Sequence, residues 1–457
     1  MKGLARLGLY RRSIGLEQLK YIIPIALLAP IILNTPLASC APSAQQYDMT
    51  VPLQYQAGYA TLSGILKSFN TTLGLTFGST KGLTFATELL PANGNRGQAL
   101  LQPKNLASVA VNLNALQAMG VQGVTIAVGY PLLDPTFPNS AQYLSYFAEV
   151  VSMAHARGMK VLIESQILFA NTPYSPLTFD WSALPYSQYV TNHIAQDQLI
   201  INQIHPDYLE LGVEADTEAY LSGYHQLNTP TGWSSYIEQL LAGLNNGNRS
   251  TKLVAGVATW LDPSYVSGFA NDPRLDFLST HVYPIYGSNL QNLLALRKIA
   301  QQNGKRLVID EVWLQKILQP QGHGQGIGGP AYTPQDVFAF SAPLDEQFLT
   351  LLTKFSQIYP VEYLSPFNEW YFWAYLNWTL ALGGQVYFPL EQQIYTAAGQ
   401  NMASNTLTPT GTAYSQLAHD ATLPVAEFRN GFLALLTPIL AAAFAFRLSL
   451  ARRATSD

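Results

Sequence analysis

Two glutamates stand where apolar runs of the chain stop. Asp207 to Tyr220 reads D-Y-L-E-L-G-V-E-A-D-T-E-A-Y, an apolar-rich run, a glycine and then three carboxylates, Glu214, Asp216 and Glu218. Arg306 to Trp313 reads R-L-V-I-D-E-V-W and brings its apolar run to Glu311. Two-carboxylate hydrolysis needs one acid to protonate a departing oxygen and a second to attack or to activate water. A strand that ends in a carboxylate aims that group out of the end of a sheet, where parallel α/β barrels keep their active sites. Glu214 sits right at the end of its run. Asp216 and Glu218 fit the first turn of a helix instead, where acids complement the macrodipole, and are read as surface acids.

Such residues must be positioned by a scaffold, and the chain has the rhythm of one. Strand-like runs occur at Gly82–Ala86, Gly123–Val128, Met159–Ile163, Tyr208–Leu211, Leu253–Ala258, Leu275–Val282, Leu307–Ile309 and Val361–Leu364. Helical patterns lie between them, among them Leu106–Met119, Ala141–Ala156 and Gln188–Ile204, and several close on a glycine: Gly120, Gly158 and Gly304. Glycine there ends a helix in the left-handed conformation. Continuously apolar strands alternating with helices imply a parallel sheet covered on both faces. The predicted fold class is α/β, a (β/α)8 TIM barrel over residues 75–425, with a doubly wound open sheet as the alternative. No G-x-G-x-x-G follows the first strand, which counts against a dinucleotide fold. No cofactor is expected.

Composition narrows the function. Charged residues are 11% and apolar ones 48%, which excludes disorder. The net charge of −4 leaves no basic footprint for nucleic acid. With one cysteine, Cys40, an intramolecular disulfide is impossible. Residues 1–40 hold a basic head, the apolar run Tyr21–Leu33 and the tetrapeptide Leu37-Ala38-Ser39-Cys40, the layout of a signal peptide. The tetrapeptide resembles a lipobox, in which Cys40 would be lipidated; ordinary cleavage and an uncleaved anchor are the alternatives. Residues 41–74 read as tether and lead-in. Gly431–Phe446 carries no charge and precedes Arg447, Arg452 and Arg453, so residues 431–450 read as a transmembrane or sorting segment and 451–457 as a basic tail. Membrane attachment through one or both termini and an extracytoplasmic location follow as expectations. The Gly-rich stretch Gln319–Pro330 would lie near the barrel mouth, as a substrate cover or as a plain surface loop.

Acids and aromatics stand after nearly every strand: Glu88, Tyr130 with Asp134, Glu164, Glu214, Trp260, His281 with Tyr283, Glu311 next to Trp313, and Glu369 with Trp370. Aromatic faces stack on sugar rings while acids bind hydroxyls and run the chemistry, so the mixture points to a carbohydrate substrate. No His pair at helical spacing supports a metal site.

On these residues the chain resembles the retaining glycoside hydrolases of the clan A (β/α)8 superfamily. The resemblance implies that Glu214, ending the fourth strand, is the acid/base and that Glu311, ending the seventh, is the nucleophile. Thr280-His281-Val282-Tyr283-Pro284 is similar to the sixth-strand His-x-Tyr, whose hydroxyl touches the nucleophile. Trp370 or Trp373 would be the eighth-strand sugar platform. Glu88, Tyr130, Glu164, Trp260, His281, Tyr283, Trp313 and Trp370 are the expected substrate-binding set. His281 is also open to a structural reading. Val213 stands where most of the clan has an Asn that binds the sugar 2-hydroxyl. Asp310, adjacent to Glu311, is expected by strand alternation to face away and anchor a neighbouring element. The expected activity is a β-glycosidase. A catalytically inactive glycan-binding barrel is the main alternative, and a non-glycosidic enzyme on the same fold a third.

Overall fold

The computed structural model describes residues 46–74, 82–245, 247, 250–284, 287–314, 334–385 and 387–419. Cys40, the apolar segments near both termini and the Gly-rich stretch lie outside the described residues. Among the described residues no helix is long and apolar enough to cross a membrane.

Eight strands close into a barrel: β1 (Thr84–Glu88), β2 (Gly123–Ala127), β3 (Lys160–Glu164), β4 (Tyr208–Glu210), β5 (Lys252–Gly256), β6 (Phe277–Val282), β7 (Leu307–Val312) and β8 (Val361–Pro366). Each pairs in parallel with its neighbour in sequence order, and β8 returns to β1. The eight apolar runs of the sequence are these strands. Both faces are buried, one against the helices and one inside the barrel, which is why the runs show little polar alternation.

The connections are α2 (Pro103–Ala118), α3 (Ser140–His155), α4 (Tyr186–Leu199), α5 (Ala215–Ser222), α6 (Pro230–Gly243), α7 (Gly287–Gln302) and α8 (Ala342–Ile358). After β8 come α9 (Leu380–Gly383), α10 (Tyr387–Ala403) and α11 (Pro409–His419). Gly120, Gly158 and Gly304 take φ of 84°, 73° and 67°, the left-handed ends expected of them. The long helix predicted through Ile204 is α4 followed by one π turn, Ile200–Ile204. The β5–β6 connection has only a 3-10 turn, Pro263–Val266. Ahead of the barrel, α1 (Gln56–Leu73) lies within the expected lead-in. It buries Leu62, Leu66, Phe69 and Leu73, and Phe69 stacks on Phe355 of α8 at 6.3 Å between ring centroids.

Period-two alternation sets what fills the barrel. Ala86, Leu162, Tyr208, Val254, Val308 and Tyr363 form one buried apolar cluster, separate from the main core under the helices. Two residues further along their strands, on the same face, stand Glu88, Glu164, Glu210, Gly256, Asp310 and Ser365. An apolar plug is therefore capped, toward the C-terminal mouth, by a layer dense in carboxyls.

Candidate active site

Glu214 follows β4 and occupies the N-cap position of α5, with no side-chain cap bond of its own. Its carboxylate is therefore free to turn toward the mouth. His281 Nδ1 lies 2.8 Å from Glu214 Oε1 and 3.8 Å from Glu311 Oε2. Both glutamates thus converge on one imidazole, although β5 and β6 separate their strands. Tyr283, two residues beyond His281, donates its hydroxyl to Glu311 Oε1. Thr217, three residues into the helix turn from Glu214, places Oγ1 2.6 Å from Glu214 Oε2. A hydroxyl there gives a hydrogen bond to the ionised acid and accepts one from the protonated acid.

The other nitrogen of His281 faces two more acids, with Asp310 Oδ1 at 3.7 Å and Glu164 Oε1 at 3.8 Å. Burial alone would depress the His281 pKa. The Glu311, Glu214 and Asp310 carboxylates outweigh it and hold the pKa well above the usual histidine range. The centre of the site is therefore an imidazolium ringed by carboxyl groups. Burial and then the Glu311 charge raise Glu88 and Glu164 well above the ordinary carboxylate range. Glu88 also accepts a 2.6 Å hydrogen bond from Asn93. Burial pushes Asp310 up to about 7, with His281 opposing. Glu88 Oε2 and Glu164 Oε1 are buried without hydrogen-bond partners, as suits neutral acids more than charged ones. Glu311 reaches about 6, raised by burial, lowered by His281, raised again by Glu214 and lowered by the Tyr283 hydrogen bond.

Asp310 departs from the expectation that it faces away as an anchor. Counting by twos from Val308 puts it on the interior face. The β7–β8 pairing shifts register between Ile309 and Val312, and this irregularity lets the adjacent Glu311 approach the same histidine. Glu218 also departs from its reading as a surface acid. It starts α5 as expected, but it is 2% exposed because α4 and α6 close over it. Asp216 accepts a 3.0 Å bond from Trp260 Nε1, and burial with the nearby Glu214 raises it to about 6.

Seven of the ten expected site residues come together: Glu214, Glu311, His281, Tyr283, Glu88, Glu164 and Trp260. Trp260 is partly exposed and stands edge-on to Tyr283, with ring centroids 5.8 Å apart. The other three lie in aromatic packing. Tyr130 meets Phe179, Trp181, Tyr189 and His193, and its hydroxyl donates to Asp134 at 3.1 Å. Trp313 is 1% exposed and stacks on Tyr371. Trp370 packs against Tyr395. Thr217 and Asn93 were not singled out from the sequence; the three-residue spacing of Thr217 from a helix-capping Glu214 was the one available signal. Val213 is fully buried.

Glu164, His281 and Glu311 each offer one ligand atom within 4.8 Å of the others, the kind of group that holds a metal ion. They come from three strands, so no spacing in the sequence could announce them.

No protein-family profile and no curated protein sequence matches the chain. Solved structures do. A GH5_18 protein from Bifidobacterium longum subsp. longum matches at 14% identity over 75% of this chain and 81% of that chain, with a TM-score of 0.48. An exo-β-1,4-mannosidase from Opitutaceae bacterium strain TAV5 matches at 12% identity over 74% of this chain and 59% of that one, with a TM-score of 0.50. An endo-β-1,4-glucanase from Xanthomonas axonopodis pv. citri matches at 14% identity over 69% and 90%, with a TM-score of 0.42. At a TM-score of 0.50 the chain shares the fold of the exo-β-1,4-mannosidase. At such identities the likeness is one of fold, and the chemistry rests on the site itself.

Proposed function

We propose that the protein is a glycosidase that cleaves a β-linked oligo- or polysaccharide with retention of configuration, acting outside the cytoplasm. The observation that carries this reading is the meeting of Glu214 and Glu311 at His281 Nδ1, 2.8 and 3.8 Å away, with Tyr283 on the second carboxylate. Glu311, ionised above about pH 6, attacks the anomeric carbon as the bond to the leaving oxygen breaks, and Glu214 passes to that oxygen the proton it shares with His281 Nδ1, 2.8 Å away. Water then attacks the glycosyl ester, Glu214 takes up its proton, and the Glu311 carboxylate departs. Two inversions give net retention.

The aromatic edge at Trp260 and Tyr283 would stack a sugar ring beside the reaction centre, and Glu88 and Glu164, as neutral acids, would bind hydroxyls. A β-1,4-linked hexose chain is the class to test first, because the fold is shared with an exo-β-1,4-mannosidase. The extracytoplasmic part rests on the basic head, the apolar runs and the terminal arginines of the sequence. Val213, in place of the Asn of the resembled clan, favours a second reading, a barrel that binds glycan without cleaving it.

Kinetics on paired substrates test the proposal. Glu311→Ala should stop every substrate, with azide restoring turnover by filling the vacated space. Glu214→Ala should fail on poor leaving groups and still form the glycosyl-enzyme from an activated aryl β-glycoside. The first-formed anomer, read by proton NMR, should be β. An α product, or equal damage from both variants on all substrates, would refute the assignment. Glycan binding by a wild type that hydrolyses none of a broad panel would favour the binding barrel.

A further inference from the structure

Behind the candidate site, on the side of α4 and α6, lies a buried polar network that the chemistry above does not use. Glu218 Oε2 accepts the backbone N–H of Ile167 at 3.1 Å, and Oε1 accepts the Tyr189 hydroxyl. Tyr236 places its hydroxyl 3.1 Å from that of Tyr189 and 2.5 Å from His193 Nδ1. His193 Nε2 meets the Ser165 carbonyl, and the Ser165 hydroxyl donates to Asp197. Burial holds the histidine neutral, with its pKa at about 4. Nε2 then carries the proton, and Nδ1 accepts from Tyr236. His193, Asp197, Ser165, Tyr189 and Tyr236 are all without solvent exposure.

The two ends of this network touch the two walls of the site. At one end the backbone N–H of Glu218 donates to the carbonyl of Glu214 at 2.9 Å, closing the first turn of α5. At the other end Ser165 directly follows Glu164, the acid that faces His281. Helix α5 has only Ala215–Ser222, too short to stand without tertiary support. Its first turn therefore depends on what holds Glu218.

We infer that Glu218 is a positioning residue for Glu214, clamped by Ile167 and Tyr189 and backed by Tyr236 and His193, so that the α4–α6 layer sets the direction in which the proton donor points. The kinetic consequence rests on the glycosidase reading; the structural one does not. A displaced Glu214 delivers its proton poorly, whereas Glu311 is untouched. The loss should therefore depend on the leaving group.

Two variants and two readouts test this. Tyr189→Phe removes one donor at nearly constant volume, and Glu218→Ala removes the anchor. Amide exchange on folded protein should rise at least about tenfold at Glu218 and its neighbours in α5, while the rest of the barrel is unchanged. On substrates with poor leaving groups kcat should fall by about 10²-fold with KM little altered, while activated aryl glycosides stay within a few-fold. Glu218→Gln, which keeps a carbonyl acceptor, should recover part of both. Unchanged exchange in α5 of folded Tyr189→Phe protein would overturn the inference, and so would an equal loss on both substrate classes that tracks the fall in Tm. If the wild type hydrolyses nothing, the exchange result still decides the positioning role and only the glycosidase reading falls.

Discussion

Replacing His281 with glutamine removes the imidazolium from the middle of the carboxyl ring while keeping an amide able to reach Glu214. At the 3.8 Å that separates Nδ1 from Glu311 Oε2, unit charges in a medium of effective dielectric about 20 attract by roughly 4 kcal/mol. One pKa unit is worth about 1.36 kcal/mol, so the histidine holds Glu311 down by at most roughly three units. Protons shared with Asp310 and Glu164 return part of this, and an upward shift of about one to three units is expected. The sign follows from the chemistry. The nucleophile must be ionised, and an acid with a higher pKa stays protonated to a higher pH. In the wild type the acid limb of kcat/KM should lie where Glu311 titrates, at about 6. In His281→Gln it should move upward. An activated aryl β-glycoside is the right substrate, because its departure does not need the proton of Glu214. An acid limb that stays within about half a unit of wild type in folded His281→Gln protein would refute the reasoning.

Trp260→Ala should weaken sugar binding by about 1–3 kcal/mol with folding intact, whereas Trp313→Ala, which empties a buried stack on Tyr371, should cost about 3–5 kcal/mol of stability; ligand titrations and thermal melts on both variants separate the two. Glu218 carries a folded-state pKa of about 8 against 4.5 when unfolded, raised by burial. An acid with a raised pKa binds more protons folded than unfolded, so stability is fullest below the unfolded value and is lost as pH rises toward 8. The loss is at most roughly 5 kcal/mol. Urea midpoints from pH 5 to 8 should fall less for Glu218→Gln than for wild type, and parallel curves would remove the claim. Protease added to intact cells should degrade the barrel, and Cys40→Ala should abolish labelling by a fatty-acid probe; full protection argues against the extracytoplasmic reading, and unchanged labelling against lipidation.

How much could be read without the fold follows from where each signal resides. The barrel was legible, because a strand buried on both faces must be apolar along its whole length, and helices closing on Gly120, Gly158 and Gly304 punctuate the chain between strands. The apolar runs also placed Glu214 and Glu311 near the C-terminal mouth: Glu311 stands one residue before the end of β7, and Glu214 four residues past β4 at the N-cap of α5. Alternation also contained more than was drawn from it. Two-residue steps from Val308 place Asp310 inside the barrel, and the helix-like spacing of Leu62, Leu66, Phe69 and Leu73 announces α1 within the lead-in.

Other features belong to the tertiary structure alone. Whether Glu218 is a solvated helix-start acid or a buried anchor depends on Tyr189 and Tyr236, which arrive from α4 and α6. That both Asp310 and Glu311 address His281 depends on a register shift against β8. Trp260 and Trp313 both follow strands, yet one meets Asp216 and Tyr283 and the other is stacked away on Tyr371. Local sequence determines which strand a side chain belongs to and where along it the chain turns. Burial, charge state and partner are set by whatever the closed barrel brings against that point, and those neighbours are distant in the chain.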